Sequence, residues 1–124
     1  METPLKILQE KNQGKRSIMI FHLSGWLDAK SEEAVLKAAR EAYDEGYRLL
    51  LLDLAEVEAI TSAGMRAIQK VYKLFTPVED QHKVAHVKLC KTPPEMHYIL
   101  GVTGFLLNIP SYPTQKEALE SFEE

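Results

Sequence analysis

The fold is decided by residues 49–75, whose sequence is LLLLDLAEVEAITSAGMRAIQKVYKLF. Residues 49–54 are mostly apolar on both faces of an extended chain, which is typical of a strand buried between two layers of a parallel sheet protein. After an acidic connector, residues 55–60, apolar side chains recur with helical spacing at Met65, Ile68, Val71, Tyr72 and Phe75. The sequence therefore predicts a strand that leads into a helix through the tight turn Thr61-Ser62-Ala63-Gly64.

This turn places the hydroxyl of Ser62 at the N-terminus of a helix that is predicted over residues 63–75 and ended by Pro77. Free backbone N–H groups and the positive end of the helix dipole favour an anion such as phosphate at that position. Ser62 is therefore a candidate helix cap, a role that contributes about 1 kcal/mol, and also a candidate phosphorylation switch. The two roles are compatible, and the residues leave both open.

A third role for Ser62, the nucleophile of a hydrolase, does not fit its neighbours. The nucleophile elbow needs a glycine on each side of the serine at two residues' distance, and Ile60 occupies the first of these positions. A zinc site at His82, His86 and Cys90 is not expected either, because four residues of a strand span about 13 Å, too far for three shared ligands. We therefore expect no catalysis, no cofactor and no metal.

Shorter signals place the remaining elements. A hairpin is predicted from strands 5–10 and 17–23 with a turn at 12–14, and Ser24-Gly25 is predicted to break the second strand. The first helix is predicted from the N-cap Ser31 to about residue 45, before a C-terminal cap at Gly46, with an inward face formed by Ala34, Val35, Ala38, Ala39 and Ala42. The later predictions are a strand over 83–90, a helix from Pro93-Pro94 to about 101, a strand at 108–111, and a helix from Thr114 with Ala118, Leu119 and Phe122 inward.

The bulk properties define a soluble α/β domain and exclude several functions. The 124 residues, 45% hydrophobic and 27% charged, predict one domain over residues 1–124. A net charge of −3 gives no electrostatic basis for binding nucleic acid or an anionic membrane. Cys90 stands alone, no signal peptide is visible and the apolar runs are too short to span a bilayer, so we expect a cytoplasmic protein without membrane insertion.

Four segments, in this order and spacing, resemble the STAS domain, the fold of bacterial anti-sigma factor antagonists. Residues 23–29, LSGWLDA, are similar to the Gly-x-Leu-Asp turn of the family, and residues 50–60 resemble its central strand and exit. Residues 62–65, SAGM, stand where the family has an Asp-Ser-Ser-Gly-Leu turn, and residues 99–105 with Ala118-Leu119 resemble its C-terminal part. The resemblance implies a mixed sheet of about four to five strands covered by about four helices.

The resemblance also implies a function. In the family, the first serine of the turn is phosphorylated by an anti-sigma factor that is itself a serine kinase, and a serine phosphatase removes the phosphate. The unphosphorylated antagonist binds the anti-sigma factor and frees the sigma factor, while ATP and magnesium belong to the kinase. The matching acceptor is Ser62, and Thr61, which replaces the family's aspartate, is an alternative acceptor. Ala63 replaces the second serine. The alternative function is a non-phosphorylated STAS adaptor in a transport or signalling complex.

The expected partner-binding residues surround the same turn, in a monomer or weak dimer. They are Trp26, Asp28, Thr61, Ser62, Ala63, Gly64, Met65 and Arg66. Asp28 is either a turn residue or a partner contact, and Trp26 is either a lid on the core or an anchor for the partner. Asp53 is expected to bond backbone or a hydroxyl at the strand end. The predicted helix also presents a charged side formed by Arg66, Lys70 and Lys73.

Overall fold

A mixed five-stranded sheet forms the centre of the molecule. The computed structural model describes residues 3–123, and its strands lie across the sheet in chain order: β1 (Lys6–Gln13), β2 (Ser17–Leu27), β3 (Leu49–Ile60), β4 (Val87–Cys90) and β5 (Ser111–Tyr112). β1 runs antiparallel to β2, and each later pair is parallel. The predicted α/β class, the hairpin and the mixed sheet are confirmed.

Four helices cover the two faces of the sheet unequally. They are α1 (Glu32–Asp44), α2 (Ser62–Phe75), α3 (Pro94–Val102) and α4 (Gln115–Phe122), with single 3-10 turns at Val78–Asp80 and Phe105–Leu107. The larger core contains residues of α1, α2 and α3, and the smaller core on the opposite face contains residues of α4. Among the described residues, no helix combines the length and the apolar character needed to cross a membrane.

The apolar run of β3 is buried because both of its faces are covered. Leu50 and Leu52 point into the larger core, whereas Leu49 and Leu51 point into the smaller one. The prediction of a doubly covered strand is therefore confirmed. The strand is longer than predicted, since the segment expected to be an acidic connector, residues 55–60, continues β3 to Ile60.

The predicted break at Ser24-Gly25 is wrong, because β2 continues to Leu27. The register of β2 against β3 shifts just before Ser24 and again just after Gly25, so both residues remain paired within an irregular strand. Gly25 has a φ of +97°, and a Cβ atom there would lie 2.5 Å from the backbone oxygen of Pro4. The glycine thus permits a bulge under the N-terminal segment instead of ending the strand.

Other element ends also differ from the predictions. β1 extends through Asn12 and Gln13, so the hairpin turn lies at residues 14–16. β4 begins only at Val87, because residues 83–86 belong to the preceding turn, and β5 is displaced to Ser111–Tyr112. Ala34 is exposed, unlike the other four residues of the predicted inward face of α1.

Both ends of α1 lie where they were predicted, with Ser31 at the N-cap and Gly46 directly after the C-cap residue. Ser31 occupies the N-cap position but makes no side-chain cap hydrogen bond; its Oγ instead accepts from the N–H of Asp28 at 2.8 Å. At the other end, Gly46 has a φ of +107°, with its N–H donating to Tyr43 O and the next N–H, of Tyr47, donating to Ala42 O. This is the Schellman pattern, so the predicted C-terminal cap is confirmed.

Replacement of Gly46 by alanine should destabilise the protein by about 1 kcal/mol, because an L-residue at positive φ is strained. No atom lies within 4 Å of the added Cβ, so the cost is purely conformational. Gly101→Ala, within α3, is the matched control and should raise stability by up to about 1 kcal/mol. Urea unfolding of both variants measures the difference, and equal effects would contradict this account of the α1 end.

Candidate functional site

The turn between β3 and α2 is pressed against the end of β2. The N–H of Thr61 donates to Leu27 O at 2.9 Å. A Cβ atom on Gly64 would lie 2.2 Å from the same oxygen, a distance that no side chain allows. Gly64 is buried, and its lack of a side chain lets the first turn of α2 approach the strand. The turn and the end of β2 therefore form one surface.

Thr61, not Ser62, caps α2. Thr61 is extended, with φ −103° and ψ 173°, and its Oγ1 accepts from the N–H of Gly64 at 3.2 Å. The same hydroxyl lies 3.4 Å from Leu27 O, to which it donates. The cap must be the extended residue before the first helical one, and Ser62 already belongs to the helix. The prediction that Ser62 is the cap is therefore wrong.

Ser62 is the first residue of α2 and is exposed. Within residues 3–123, its hydroxyl makes no hydrogen bond, whereas the neighbouring Thr61 hydroxyl is engaged as both acceptor and donor. No histidine bonds Ser62 in the described part of the chain; His22, His82 and His86 have other partners. The turn thus presents one free hydroxyl at the positive end of a helix dipole.

The other predicted residues of the turn take different positions. Ala63 and Met65 are half-buried, and Met65 packs against the larger core. Arg66 is exposed one helical turn after Ser62. Lys70, farther along the same side, pairs with Glu32 of α1. The hydrogen bond and charge of Lys70, with the charge of Arg66, lower the pKa of the Glu32 carboxyl. Arg66 therefore places a positive charge beside the turn, whereas the charge of Lys70 is balanced by Glu32.

Asp28 follows the end of β2 and is only 9% exposed. Its Oδ1 accepts from the N–H groups of Lys30 at 3.1 Å and Ser31 at 3.2 Å. These bonds to residues two and three positions on are those of a turn residue at the entry to α1. The carboxylate thus has a local structural task beside Leu27, the residue on which Thr61 and Gly64 converge.

Trp26 lies within β2, not in the predicted turn. It is half-buried, pairs with Ala59 of β3, and donates its backbone N–H to Thr3 O at 2.9 Å.

The 3-10 turn after Gly104 buries one of its apolar side chains and exposes another. Phe105 is 5% exposed and fills the larger core, whereas Leu107 is 88% exposed.

Asp53 lies away from the turn, in a charged cluster that the sequence analysis missed. His22 Nδ1 lies 2.7 Å from Asp53 Oδ2, and His22 Nε2 lies 2.7 Å from Glu10 Oε1. Asp53 Oδ1 accepts from the N–H of Ala55 at 3.0 Å, and Lys91 Nζ lies 3.8 Å from Oδ2. His22 and Asp53 interrupt the apolar runs of two parallel strands at directly paired positions, which was the available signal.

The cluster changes two pKa values. Burial alone would lower the pKa of His22. The hydrogen bonds to Glu10 and Asp53, together with the negative charges of these two carboxylates, outweigh the effect of burial, so the pKa of His22 rises above the ordinary 6.5. Burial, reinforced by the charge of Asp53, raises the pKa of the Cys90 thiol to about 12. Cys90 therefore stays a protonated core residue with little nucleophilic character.

Within residues 3–123, no group of three or more histidine, cysteine, aspartate or glutamate side chains is arranged so that it could hold a metal ion. His82 pairs with Asn108 at 2.8 Å and His86 with Asp80 at 3.1 Å, both outside β4. Cys90 is buried within the sheet. The three residues are therefore spread over β4 and the segment that leads into it, as expected for positions that share no ligand.

The comparisons with known proteins match this architecture. Residues 11–118 match the family model of the STAS domain. The anti-sigma F factor antagonist of Paenibacillus polymyxa is 26% identical over 117 residues, which cover 94% of this chain and 96% of that protein. This protein belongs to the STAS domain family.

Two solved structures show the same fold. The anti-sigma factor antagonist of Mycobacterium paratuberculosis superposes with a TM-score of 0.80 at 21% identity, covering 100% of both chains. The Bacillus cell fate determinant SpoIIAA, in its phosphorylated form, superposes with a TM-score of 0.64 at 15% identity, covering 93% of this chain and 99% of that one. At these identities the superpositions establish the fold.

Replacement of Gly64 by alanine should cost about 2 kcal/mol or more of unfolding free energy, because the new methyl group collides with the Leu27 backbone. Ala63→Ser, one residue earlier, is the control and should change stability by less than about 0.5 kcal/mol. Denaturant unfolding measures both variants. A Gly64→Ala protein as stable as the control would contradict the tight contact between α2 and β2.

The His22 cluster predicts a dependence of stability on pH. The folded state raises the pKa of His22 above that of the unfolded chain. The contribution of protonated His22 to the free energy of unfolding is therefore complete below about pH 6.5 and is lost as the pH rises through the raised pKa of the folded state. For a partly exposed ion pair we expect about 0.5 kcal/mol. The measurement is urea unfolding of wild type and His22→Gln across this range, with His97→Gln on α3 as control. A difference that stays constant or grows with pH would contradict the cluster.

Proposed function

We propose that this protein is an anti-sigma factor antagonist that binds a serine-kinase anti-sigma factor and is switched by phosphorylation of Ser62. The observation that carries the proposal is the contrast between the free, exposed hydroxyl of Ser62 and the bonded hydroxyl of Thr61. The names of the relatives and the family membership support the class of partner. ATP and magnesium would be bound by the kinase, a serine phosphatase would reverse the reaction, and the proposed partners place the protein in the cytoplasm.

The position of Ser62 explains how a phosphate would act. A phosphate group adds close to two negative charges at pH 7 and strong hydrogen-bond acceptors. At the first position of α2 the helix dipole favours this charge by about 1 kcal/mol, and Arg66 lies one turn away on the exposed side. The domain would therefore remain folded after modification. The added charge and bulk would act on a partner docked over the turn.

Thr61 preserves one property of the aspartate that it replaces and removes another. Threonine and aspartate both cap helices by accepting from the N–H groups of the first turn, and Thr61 makes this bond to Gly64. The negative charge is lost, so a kinase cannot use it to recognise the acceptor. Thr61 itself is the poorer acceptor, because phosphorylation would have to release its bonds to Gly64 and Leu27.

The proposed docking surface follows the same geometry. The partner would contact the start of α2, at Thr61, Ser62, Ala63, Met65 and Arg66. Gly64 would set the height of the helix above β2, since its Cβ position is occupied by the Leu27 backbone. Asp28 would act mainly by holding the adjacent turn, because its carboxylate is nearly buried. Trp26 would border the surface from β2.

The lost charge at Thr61 favours a second candidate function, a non-phosphorylated STAS adaptor in a transport or signalling complex. The adaptor would use the same surface but would not be switched by a kinase. The two proposals differ in a single measurable property, the transfer of phosphate to Ser62.

Intact-mass spectrometry after incubation with ATP, magnesium and each serine-kinase anti-sigma factor of the source genome tests the proposal. Wild type should gain one phosphate and Ser62→Ala none. Thr61→Asp should still gain one, and faster, because the variant keeps the cap, removes the second hydroxyl and restores the charge. A gain that survives in Ser62→Ala overturns the assignment of the acceptor. No gain with any kinase, in wild type and in Thr61→Asp, overturns the switch in favour of the adaptor.

A further inference from the structure

A cavity of about 290 Å³ lies at the amino ends of β4 and β5. This is the edge of the sheet opposite the Ser62 turn, since both parallel strands begin there, and α2 reaches it with Tyr72 about 15 Å from Ser62 along the helix. The volume is near the lower limit for ligand pockets, roughly 300 Å³. The polar residues that line the cavity are Tyr72, His82, Lys83, Lys88, Asn108 and Tyr112.

Lys88 is the unusual residue of this cavity, because it is a lysine with only 8% exposure. Its ammonium donates to Ser121 Oγ at 2.9 Å and lies 4.5 Å from the Phe122 ring centre and 5.6 Å from that of Tyr112. None of these partners carries a negative charge, and no carboxylate pairs with Lys88 within the described chain. A buried cation without a counter-ion is costly. The hydrogen bond and the two aromatic rings compensate the ammonium in part, but no negative charge neutralises it within residues 3–123.

The rest of the lining also favours an anion. No acidic side chain of residues 3–123 lines the cavity, and the nearby Asp80 is bound to His86 at 3.1 Å. Lys83 is exposed and forms no ion pair with any residue between 3 and 123. In the described part of the chain, two cationic lysines thus border one cavity that no carboxylate lines.

His82 and Asn108 are held at the same cavity by specific bonds. His82 adopts a φ of 68°, rare for a residue with a side chain, and its N–H donates to Tyr72 Oη at 3.1 Å. Its Nδ1 lies 2.8 Å from Asn108 Oδ1, which leaves the Asn108 amide NH₂ group without a partner among the described residues. The Asn108 amide can therefore donate to a ligand, and the bond from His82 holds that side chain in place at the cavity.

We propose that this cavity binds a small dianionic oxyanion, phosphate or a phosphate monoester. Lys88 and Lys83 supply the counter-charge, and the Asn108 amide, held in place by His82, supplies hydrogen bonds. The site stands apart from the proposed phosphorylation switch, because the two lie at opposite ends of the sheet. Its occupancy is therefore independent of whether Ser62 accepts phosphate.

Titration of the ¹⁵N-labelled full chain with inorganic phosphate, at ionic strength held constant with sodium chloride, tests the proposal by NMR. Amide signals of His82, Lys83, Asn108 and Tyr112 should shift along a saturable curve, while those of Ser62 and Gly64 stay in place. Shifts that remain linear to high phosphate, or that spread evenly over charged residues, overturn the site. Acetate, with one charge, should bind at least tenfold more weakly, and equal affinity overturns the dianion assignment.

Two variants connect the binding to the lysines. Lys88→Met, which preserves the length of the side chain, should weaken phosphate binding at least tenfold and leave the melting temperature without phosphate equal or higher. The Lys83 side chain is exposed, so Lys83→Ala cannot disrupt the core. This variant should weaken phosphate binding about threefold. Lys37→Met, on the exposed side of α1, is the control. Unchanged affinity in both cavity variants overturns the proposal.

The source of the phosphate group is distinguished by a parallel titration with glycerol 3-phosphate. Binding at least tenfold tighter than inorganic phosphate would assign the cavity to a phosphate monoester, and equal binding would assign it to free phosphate. Failure of both ligands to saturate the site overturns the proposal. The kinase assay on Ser62 is unaffected by any of these results, so failure here and failure of the proposed switch can be separated.

Discussion

The contact between the first turn of α2 and the carbonyl of Leu27 is the constraint on which the proposed partner surface depends. The same oxygen accepts from the Thr61 N–H and occupies the space that a side chain on Gly64 would need. This contact brings the end of β2, with Asp28, beside the helix that begins at Ser62. A glycine is therefore required by close packing and not by a positive φ, since only Gly25, Gly46 and Gly104 have one among the described glycines.

The two neighbouring hydroxyl groups of the turn, those of Thr61 and Ser62, have different roles in the fold. Thr61 uses its hydroxyl to complete the helix, and Ser62 leaves its hydroxyl in solvent. A helix start can therefore carry a modifiable group without losing its cap. The resemblance to the family places an aspartate at the position of Thr61, and the cap bond to Gly64 shows that threonine can make the structural contact without the negative charge.

The order and type of the elements could be predicted from the sequence, because the doubly apolar run of β3 and the helical spacing after it are local signals. Bulges were not predictable, since Ser24-Gly25 reads locally as a break and only pairing with β3 keeps the strand intact. The cap was assigned one residue late, because Thr61 and Ser62 are both good caps and the backbone decides between them. His22 and Asp53 each interrupt an apolar run, but only the strand register shows that they pair, and only burial shows the Lys88 cavity.

The most direct test of the central claim is the affinity of the cognate anti-sigma factor for this protein before and after phosphorylation of Ser62, measured by titration calorimetry. If the free hydroxyl at the start of α2 is the switch, the phosphorylated protein should bind at least tenfold more weakly while retaining the melting temperature of the unmodified fold. Equal affinity of the two forms would contradict the account, because the phosphate would then lie outside the surface that the partner contacts.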